Sequence, residues 1–300
     1  MGQTVGIIGI GIMGSAFAKN LLQAGFRVIG FDVAPSAIAA LTTAGGKAAA
    51  SPRAVADQAP FVITSLATEA AFHAVMSGTD GIASSKSQPV VIDMCTLSLA
   101  AKETARAALS ASGKVMLDCP VSGTGAQAVT KDLLVFGSGD KAAYEASLPV
   151  LAGMARAQKY LGAFGNGSRM KFIANHLVNI HNVAAAEAFV LARKAGLDLQ
   201  VVYDVMADSA GSSRMLQVRG PLMVEGRYDP PTARVDLHMK DLGIITDFAA
   251  HLGCPVPVFT AAAQLYSAAL GQGRGGQDTA VVCEVLEGLA GAERSSDNSA

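Results

Sequence analysis

The sequence predicts a two-domain α/β chain: a doubly wound, Rossmann-type parallel sheet over residues 1–162, then an all-α C-terminal domain over residues 163–292 and a disordered polar tail at 293–300. Three observations predict it. Short apolar runs alternate with helical patterns as far as Leu161, the rhythm of βαβ units. Those runs are apolar almost throughout, as strands are when helices cover both faces of a parallel sheet. Beyond Gly162 the strand-like runs stop and long Ala/Leu/Val-rich stretches take over.

Taken in order, the strands are expected at Val5–Ile10, Arg27–Asp32, Phe61–Leu66, Val90–Met94, Val115–Cys119 and Leu133–Phe136. A connector, Gly162-Ala-Phe-Gly-Asn-Gly-Ser168, leads into Met170–Lys194, which lacks Pro and Gly. It is apolar around most of its circumference and is expected to be a buried helix. Further helices are expected at Leu199–Ala207, Val235–Leu252, Val258–Leu270 and Asp278–Leu289, with Pro221, Pro230, Pro231, Pro255 and Pro257 marking the gaps between them.

Composition narrows the function classes. Hydrophobic residues make up 51% and charged residues 16%, so apolar surface must be hidden in the fold or against a partner subunit, which points to a homodimer or homotetramer. With 23 basic and 24 acidic residues and no run of like charge, no nucleic-acid partner is expected. Cys95, Cys119, Cys254 and Cys283 are scattered without a C-x-x-C pair, which argues against a zinc site or disulfide framework and fits a reducing cytoplasm. No uninterrupted apolar segment reaches the length of a membrane span. The apolar run from Val5 to Ala18 has no basic leader and carries three glycines, so it reads as strand and turn.

Those glycines form Gly9-Ile-Gly11-Ile12-Met13-Gly14, after a strand and before an amphipathic helix, the setting a dinucleotide fingerprint requires. Gly9 permits the tight turn, Gly11 the approach of a pyrophosphate and Gly14 close helix–strand packing. The competing reading is a glycine-rich turn with no ligand. Asp32 ends the second strand where a dinucleotide meets its adenosine ribose; a carboxylate there accepts from the ribose hydroxyls, repels a 2′-phosphate and favours NAD over NADP. The same Asp32 could instead cap the helix beginning near Pro35.

Three further motifs follow: Asp118-Cys-Pro-Val-Ser122-Gly123, Gly165-Asn-Gly-Ser-Arg-Met-Lys171-Phe-Ile-Ala-Asn175 and Lys240-Asp241-Leu242. With the stretch Val5 to Leu21, they resemble in order and spacing the signatures of the β-hydroxyacid dehydrogenases, a family that includes 3-hydroxyisobutyrate, threonate and tartronate-semialdehyde enzymes. The resemblance implies NAD-dependent hydride transfer with a small 3-hydroxy-carboxylic acid. It implies substrate binding by Ser122, Gly123 and Thr124, proton transfer by Lys171 with Asn175, and cofactor contacts from Thr96, Leu66, Ala67 and Lys240. Physical reasons stand beside each. A loop at the carboxyl edge of such a sheet is where ligands bind, and Ser122 offers a hydroxyl there; an ordinary surface turn is the competing reading. Lys171 and Asn175 lie four apart on one helix face, and Asn179 extends that polar stripe towards further substrate hydroxyls; a structural ion pair is the other reading of Lys171. His176 and His181 are five apart and read as helix histidines, and no metal is expected.

The chain departs from the family pattern at Thr124 and Lys131, where glycine is usual, and near Leu99 and Ala67, where proline is usual; substrate identity is what these leave open. The segments Ser209–Met215 and Gly273–Asp278 look more like threonate-type members. Competing readings are a semialdehyde reductase, an imine reductase and a dinucleotide-binding protein without catalysis. Lys171 disfavours the last two, whose members resemble this architecture but lack that lysine.

Overall fold

The computed structural model describes residues 2–292; the expected tail at 293–300 lies outside them. Its first part runs β1 (Thr4–Ile8), α1 (Ile12–Gln23), β2 (Arg27–Phe31), α2 (Pro35–Thr43), β3 (Lys47–Ala48), α3 (Pro52–Ala56), β4 (Phe61–Thr64), α4 (Glu69–Ser77), β5 (Val90–Asp93), α5 (Leu99–Ala111) and β6 (Val115–Asp118). These six strands form one parallel sheet in the order β3-β2-β1-β4-β5-β6, the doubly wound order that reverses between β1 and β4. Across its middle Ile7 sits between Gly30 and Ile63, Ile63 pairs with Ile92 and Ile92 with Leu117. Ile7, Ile63, Ile92 and Leu117 belong to the core on one face; Ile8, Val62, Val91 and Met116 belong to the core on the other. Burial on both faces is why these strands are apolar throughout.

A second, three-stranded sheet follows, made of β7 (Val121–Ser122), β8 (Leu134–Gly137) and β9 (Ala157–Tyr160), with α6 (Gly125–Val129) and α7 (Lys141–Met154) between them. β7 is antiparallel to β8, and β8 is parallel to β9. The expected strand at Leu133–Phe136 is β8; β3, β7 and β9 are additions, two of them only two residues long.

From α8 (Asn166–Lys194) onward the chain is helical: α9 (Leu199–Ala207), α10 (Arg214–Glu225), α11 (Val235–His251), α12 (Pro257–Gly271) and α13 (Val282–Leu289). The chain divides into two compact units after Lys171, inside α8. Asp198 and Ser213 begin α9 and α10 by accepting from Val201 and Leu216 N–H, so an N-cap oxygen satisfies a donor the helix cannot.

Two expectations need correction. Pro221 does not mark a gap; it lies within α10. A helical proline leaves the carbonyl four residues back without its donor, and here the Tyr203 hydroxyl donates to that Gln217 oxygen at 3.1 Å. Second, α8 is not buried all round: Phe172, Val183, Ala186 and Phe189 are buried, whereas Ile173, Leu177 and Leu191 are exposed within the single chain. No described helix is long and apolar enough to cross a membrane.

Candidate functional site

The glycine turn between β1 and α1 fits a dinucleotide. Gly9 has φ +88°, and a Cβ there would meet the Ser65 carbonyl oxygen at 2.2 Å. A Cβ on Gly14 would lie 1.9 Å from the Gly9 oxygen, whereas the Cβ position of Gly11 faces open space. The turn is therefore held from two sides and open on the third, the face a pyrophosphate needs. Gly11 is the N-cap of α1 and supplies no side-chain acceptor, and no acid stands in the first turn, so the helix dipole meets an incoming anion unopposed.

Asp32 follows β2. Its carboxylate accepts from Ile10 N–H at 2.6 Å and from Ala34 N–H at 2.8 Å, which ties the acid to the glycine turn. The N-cap of α2 is Ala34, so Asp32 is not that helix's capping residue. A cavity of about 300 Å³ opens beside it, lined by Gly9, Asp32, Val33, Leu66, Val75 and Asp80 among others. Asp80 is a second acid on that cavity, invisible to motif reading, and is paired with Arg53 at 2.9 Å. Leu66 lines the cavity, with its N–H directed at Cys95 Sγ at 3.1 Å, and Ala67 is exposed beside it. Thr96, two residues past the start of the loop after β5, is half-buried.

The Ser122 segment sits against this turn. Ser122 ends β7, opposite Leu134, and so belongs to a short strand and not to a free loop. Gly123 has φ +134°, and a Cβ there would meet Leu133 at 2.4 Å. Thr124 is the N-cap of α6, its hydroxyl accepting from Gln127 N–H while its own N–H donates to the Gln127 side chain. A Cβ on Gly125 would lie 2.4 Å from Ile12 Cγ2, and the buried Asn20 side chain on α1 donates to Ala128 O at 2.7 Å. The start of α1 at Ile12 and the start of α6, which follows directly on Thr124, are thus neighbours. Lys131 adopts φ +61° in the loop beyond, a conformation that glycine takes without strain. Leu99 is the first residue of α5, a position suited to proline.

The start of α8 is fastened to the same sheet edge. Ser168 N–H donates to Asp118 Oδ2 at 2.8 Å and its hydroxyl to Asp118 Oδ1 at 2.7 Å, while Gly167 N–H donates to the Ser138 hydroxyl at 2.9 Å. A Cβ on Gly167 would meet Phe136 O at 2.3 Å and Asp118 O at 2.6 Å, which explains glycine in this motif: only bare backbone allows so close an approach. Lys171 follows Ser168 by three residues, nearly one turn, and is half-buried.

In the second unit, Asn175, one turn further along α8, donates to Asp241 Oδ2 at 3.0 Å, and Lys240 Nζ lies 3.4 Å from Asp241 Oδ1. Asn179 is fully buried; its Nδ2 donates to Asn175 O at 2.7 Å and its Oδ1 bonds to His238 Nε2. Asn182 donates to the Tyr266 hydroxyl at 2.8 Å and to Thr279 O at 2.9 Å. Burial pushes the Tyr266 hydroxyl up to about 12. His238, Tyr266 and Asn182 escaped sequence reading because their partners lie on other helices, far away in the chain, and Asp241 was legible only as a member of the Lys240 motif, not as the partner of Asn175. His176 stacks on Phe259 at 5.0 Å. Among the described residues no three His, Cys, Asp or Glu converge as metal ligands.

Comparison with known proteins agrees with this geometry. Residues 4–162 match the NAD binding domain of 6-phosphogluconate dehydrogenase, and residues 165–286 the NAD-binding domain of NADP-dependent 3-hydroxyisobutyrate dehydrogenase. The chain is 37% identical to L-threonate dehydrogenase of Cupriavidus necator over 96% of its own length and 98% of the relative's. It is 34% identical to 3-sulfolactaldehyde reductase of Escherichia coli, covering 96% and 97%. The crystal structure of 3-hydroxyisobutyrate dehydrogenase from Salmonella typhimurium superimposes with a TM-score of 0.85 at 36% identity, covering 94% of this chain and 99% of that one. With matches spanning residues 4–162 and 165–286 and relatives 34–37% identical over nearly the whole chain, the chain belongs to the β-hydroxyacid dehydrogenase family and is an NAD-dependent hydroxyacid dehydrogenase.

Proposed function

We propose that this enzyme oxidises a small, hydroxylated 3-hydroxy-carboxylate of the threonate type, with Lys171 as its proton-transfer residue. The observation that carries the reading is the fastening of α8 through Ser168 to Asp118, which sets Lys171 beyond the same strand edge from which the Ser122 segment departs. The glycine turn and Asp32 hold NAD, which when bound supplies a hydride acceptor at C4 of its nicotinamide. Ser122 and the Gly123 backbone bind the substrate carboxylate, a charge-assisted contact, and Thr124 closes that segment by capping α6. Lys171 Nζ takes the hydroxyl proton as the alcohol is oxidised and returns it in the reverse direction, so oxidation is favoured by alkaline pH and reduction by lower pH. Asn175, held by Asp241 one turn beyond Lys171, orients the lysine in this reading; Asn179, read from the sequence as a substrate contact, is buried with both ends of its amide bonded and supports Asn175 at its backbone oxygen. Thr96, Leu66, Ala67 and Lys240 are the remaining cofactor contacts in this reading.

The names of the threonate relatives support the sugar-acid substrate. Turnover of L-threonate, 3-hydroxyisobutyrate, glycerate and 4-hydroxybutyrate with NAD tests it: threonate should give the highest kcat/KM, and a preference for 3-hydroxyisobutyrate would overturn the assignment. The enzyme works as a homo-oligomer in the same reading. Val201 and Val205 share one exposed stripe of α9, a helix with no buried residue in the single chain, and Leu197 and Leu191 are exposed close by in sequence; a second copy of the chain covers them. Light scattering should report a dimer or tetramer that Val201→Glu/Val205→Glu weakens, and a wild-type monomer would refute it.

A further inference from the structure

Lys102, on α5, is fully buried. Its ammonium lies 2.7 Å from Asp118 Oδ1, 2.9 Å from Asp93 Oδ2 and 2.7 Å from the Cys95 carbonyl oxygen. Each partner is tied onward. Asp93 Oδ1 accepts from the Thr64 hydroxyl at 2.8 Å and from Cys95 N–H at 3.2 Å; Asp118 accepts from both the hydroxyl and the N–H of Ser168. One side chain therefore joins the carboxyl ends of β4, β5 and β6 to the first turn of α8. Those three ends launch the Leu66, Thr96 and Ser122 segments, and α8 carries Lys171.

Stability does not explain the cluster. Three buried charges are at best a match for well-packed apolar residues of the same volume. Burial works against the charge on Lys102, but the carboxylates of Asp118 and Asp93 outweigh it and hold this ammonium above its ordinary range, so it stays charged. What a buried hub held by two ion pairs and a chain of hydrogen bonds supplies is fixed geometry, and proton transfer depends on geometry.

We propose that Lys102 is a positioning residue for the reaction: through Asp118 and Ser168 it sets the first turn of α8 and hence Lys171, and through Asp93 and Cys95 it sets the Thr96 segment. This rests on Lys171 as the proton-transfer residue.

The test compares three variants of the full-length enzyme with wild type: Lys102→Met/Asp93→Asn, which removes one positive and one negative charge together; Ser168→Ala, which cuts the hydroxyl link to α8 and leaves the ion cluster intact; and Lys171→Ala. Thermal unfolding, NADH affinity by NADH fluorescence, kcat, KM and the primary deuterium isotope effect on kcat are measured for each. For the double variant the NADH Kd should stay within about threefold while kcat falls about 10–100-fold, the scale of an ångström-level misplacement. Its isotope effect should rise as the chemical step slows relative to release. Ser168→Ala should show the same pattern, about tenfold in kcat. A double variant that binds NADH with kcat within twofold of wild type and an unchanged isotope effect overturns the proposal. If that variant does not fold, Ser168→Ala with kcat within twofold overturns it equally. Lys171→Ala separates the two layers: inactive Lys171→Ala beside normal hub variants removes only the positioning role, whereas active Lys171→Ala removes the catalytic reading and this inference with it.

Discussion

Gly14→Ala is a single added methyl whose effect follows from one distance. Its Cβ would lie 1.9 Å from the Gly9 carbonyl oxygen and 3.0 Å from the Gly9 carbon, against a normal carbon–oxygen contact above about 3 Å, so the start of α1 must move by about 1 Å. The neighbour is backbone, fixed by Gly9 N–H donating to Phe31 O at 3.0 Å, and cannot turn aside as a side chain would. Overpacking of this kind destabilises by about 1–3 kcal/mol. Cofactor binding suffers separately in the proposed site, because the α1 N–H groups turned towards the pyrophosphate are displaced; loss of one hydrogen bond to a charged group, about 1.5–3 kcal/mol, corresponds to an NAD affinity about 10–100-fold weaker. Calorimetric titration of NAD and NADH suits a protein without tryptophan, with circular dichroism to show that the sheet is intact. A folded Gly14→Ala enzyme whose NAD Kd lies within twofold of wild type would refute the reasoning.

Asp32→Ala should lower the NAD over NADP preference in kcat/KM by about tenfold or more, since a like-charge contact with the 2′-phosphate of order 1–3 kcal/mol is removed; an unchanged ratio would show that Asp32 does not discriminate. Tyr203→Phe should cost about 1 kcal/mol in chemical denaturation, and nearly nothing in a Pro221→Ala background where the helix regains its own donor for Gln217 O; equal losses in both backgrounds would sever the proposed link. Asp278 is buried, and although burial works to raise its carboxyl, Arg219 and the N–H groups of Ala280 and Thr232 hold it below the usual carboxylate range. Because its folded value is depressed, its stabilisation is complete above about pH 4 and is lost as pH falls through the folded value. Asp278→Asn should therefore lose about 3 kcal/mol at pH 7, a gap that narrows below about pH 4; a pH-independent gap would count against it.

Most of the fold was legible because its signals are local. The six apolar runs, the glycine turn and the start of α9 all lie within a few residues of the features that produce them. The two-residue strands β3 and β7 were not legible, since a pairing that short leaves no period to read. α10 was hidden by Pro221, whose penalty is offset by Tyr203 on another helix, and no local pattern encodes that. The exposed face of α8 was misread because apolar composition does not say whether the cover comes from the same chain. At the site, Gly9, Gly14, Asp32 and Lys171 were readable as motif positions, with the physical demands of Gly9 and Gly14 visible in the spacing. The Lys102 cluster was silent: Asp118 and Ser168 were legible as motif members, but nothing local shows that they meet Asp93 and Lys102, because four separate elements bring these residues together.

The most direct test of the account is the single-turnover rate of Lys171→Ala with saturating NAD and substrate. The variant should fold and bind NADH as wild type does, yet lose about 10²–10⁴ in single-turnover rate, the scale of general acid–base catalysis. Lys171→Arg should recover little, because a guanidinium does not give up its proton. A Lys171→Ala enzyme that folds, binds NADH and keeps most of its single-turnover rate would contradict the assignment of proton transfer to Lys171.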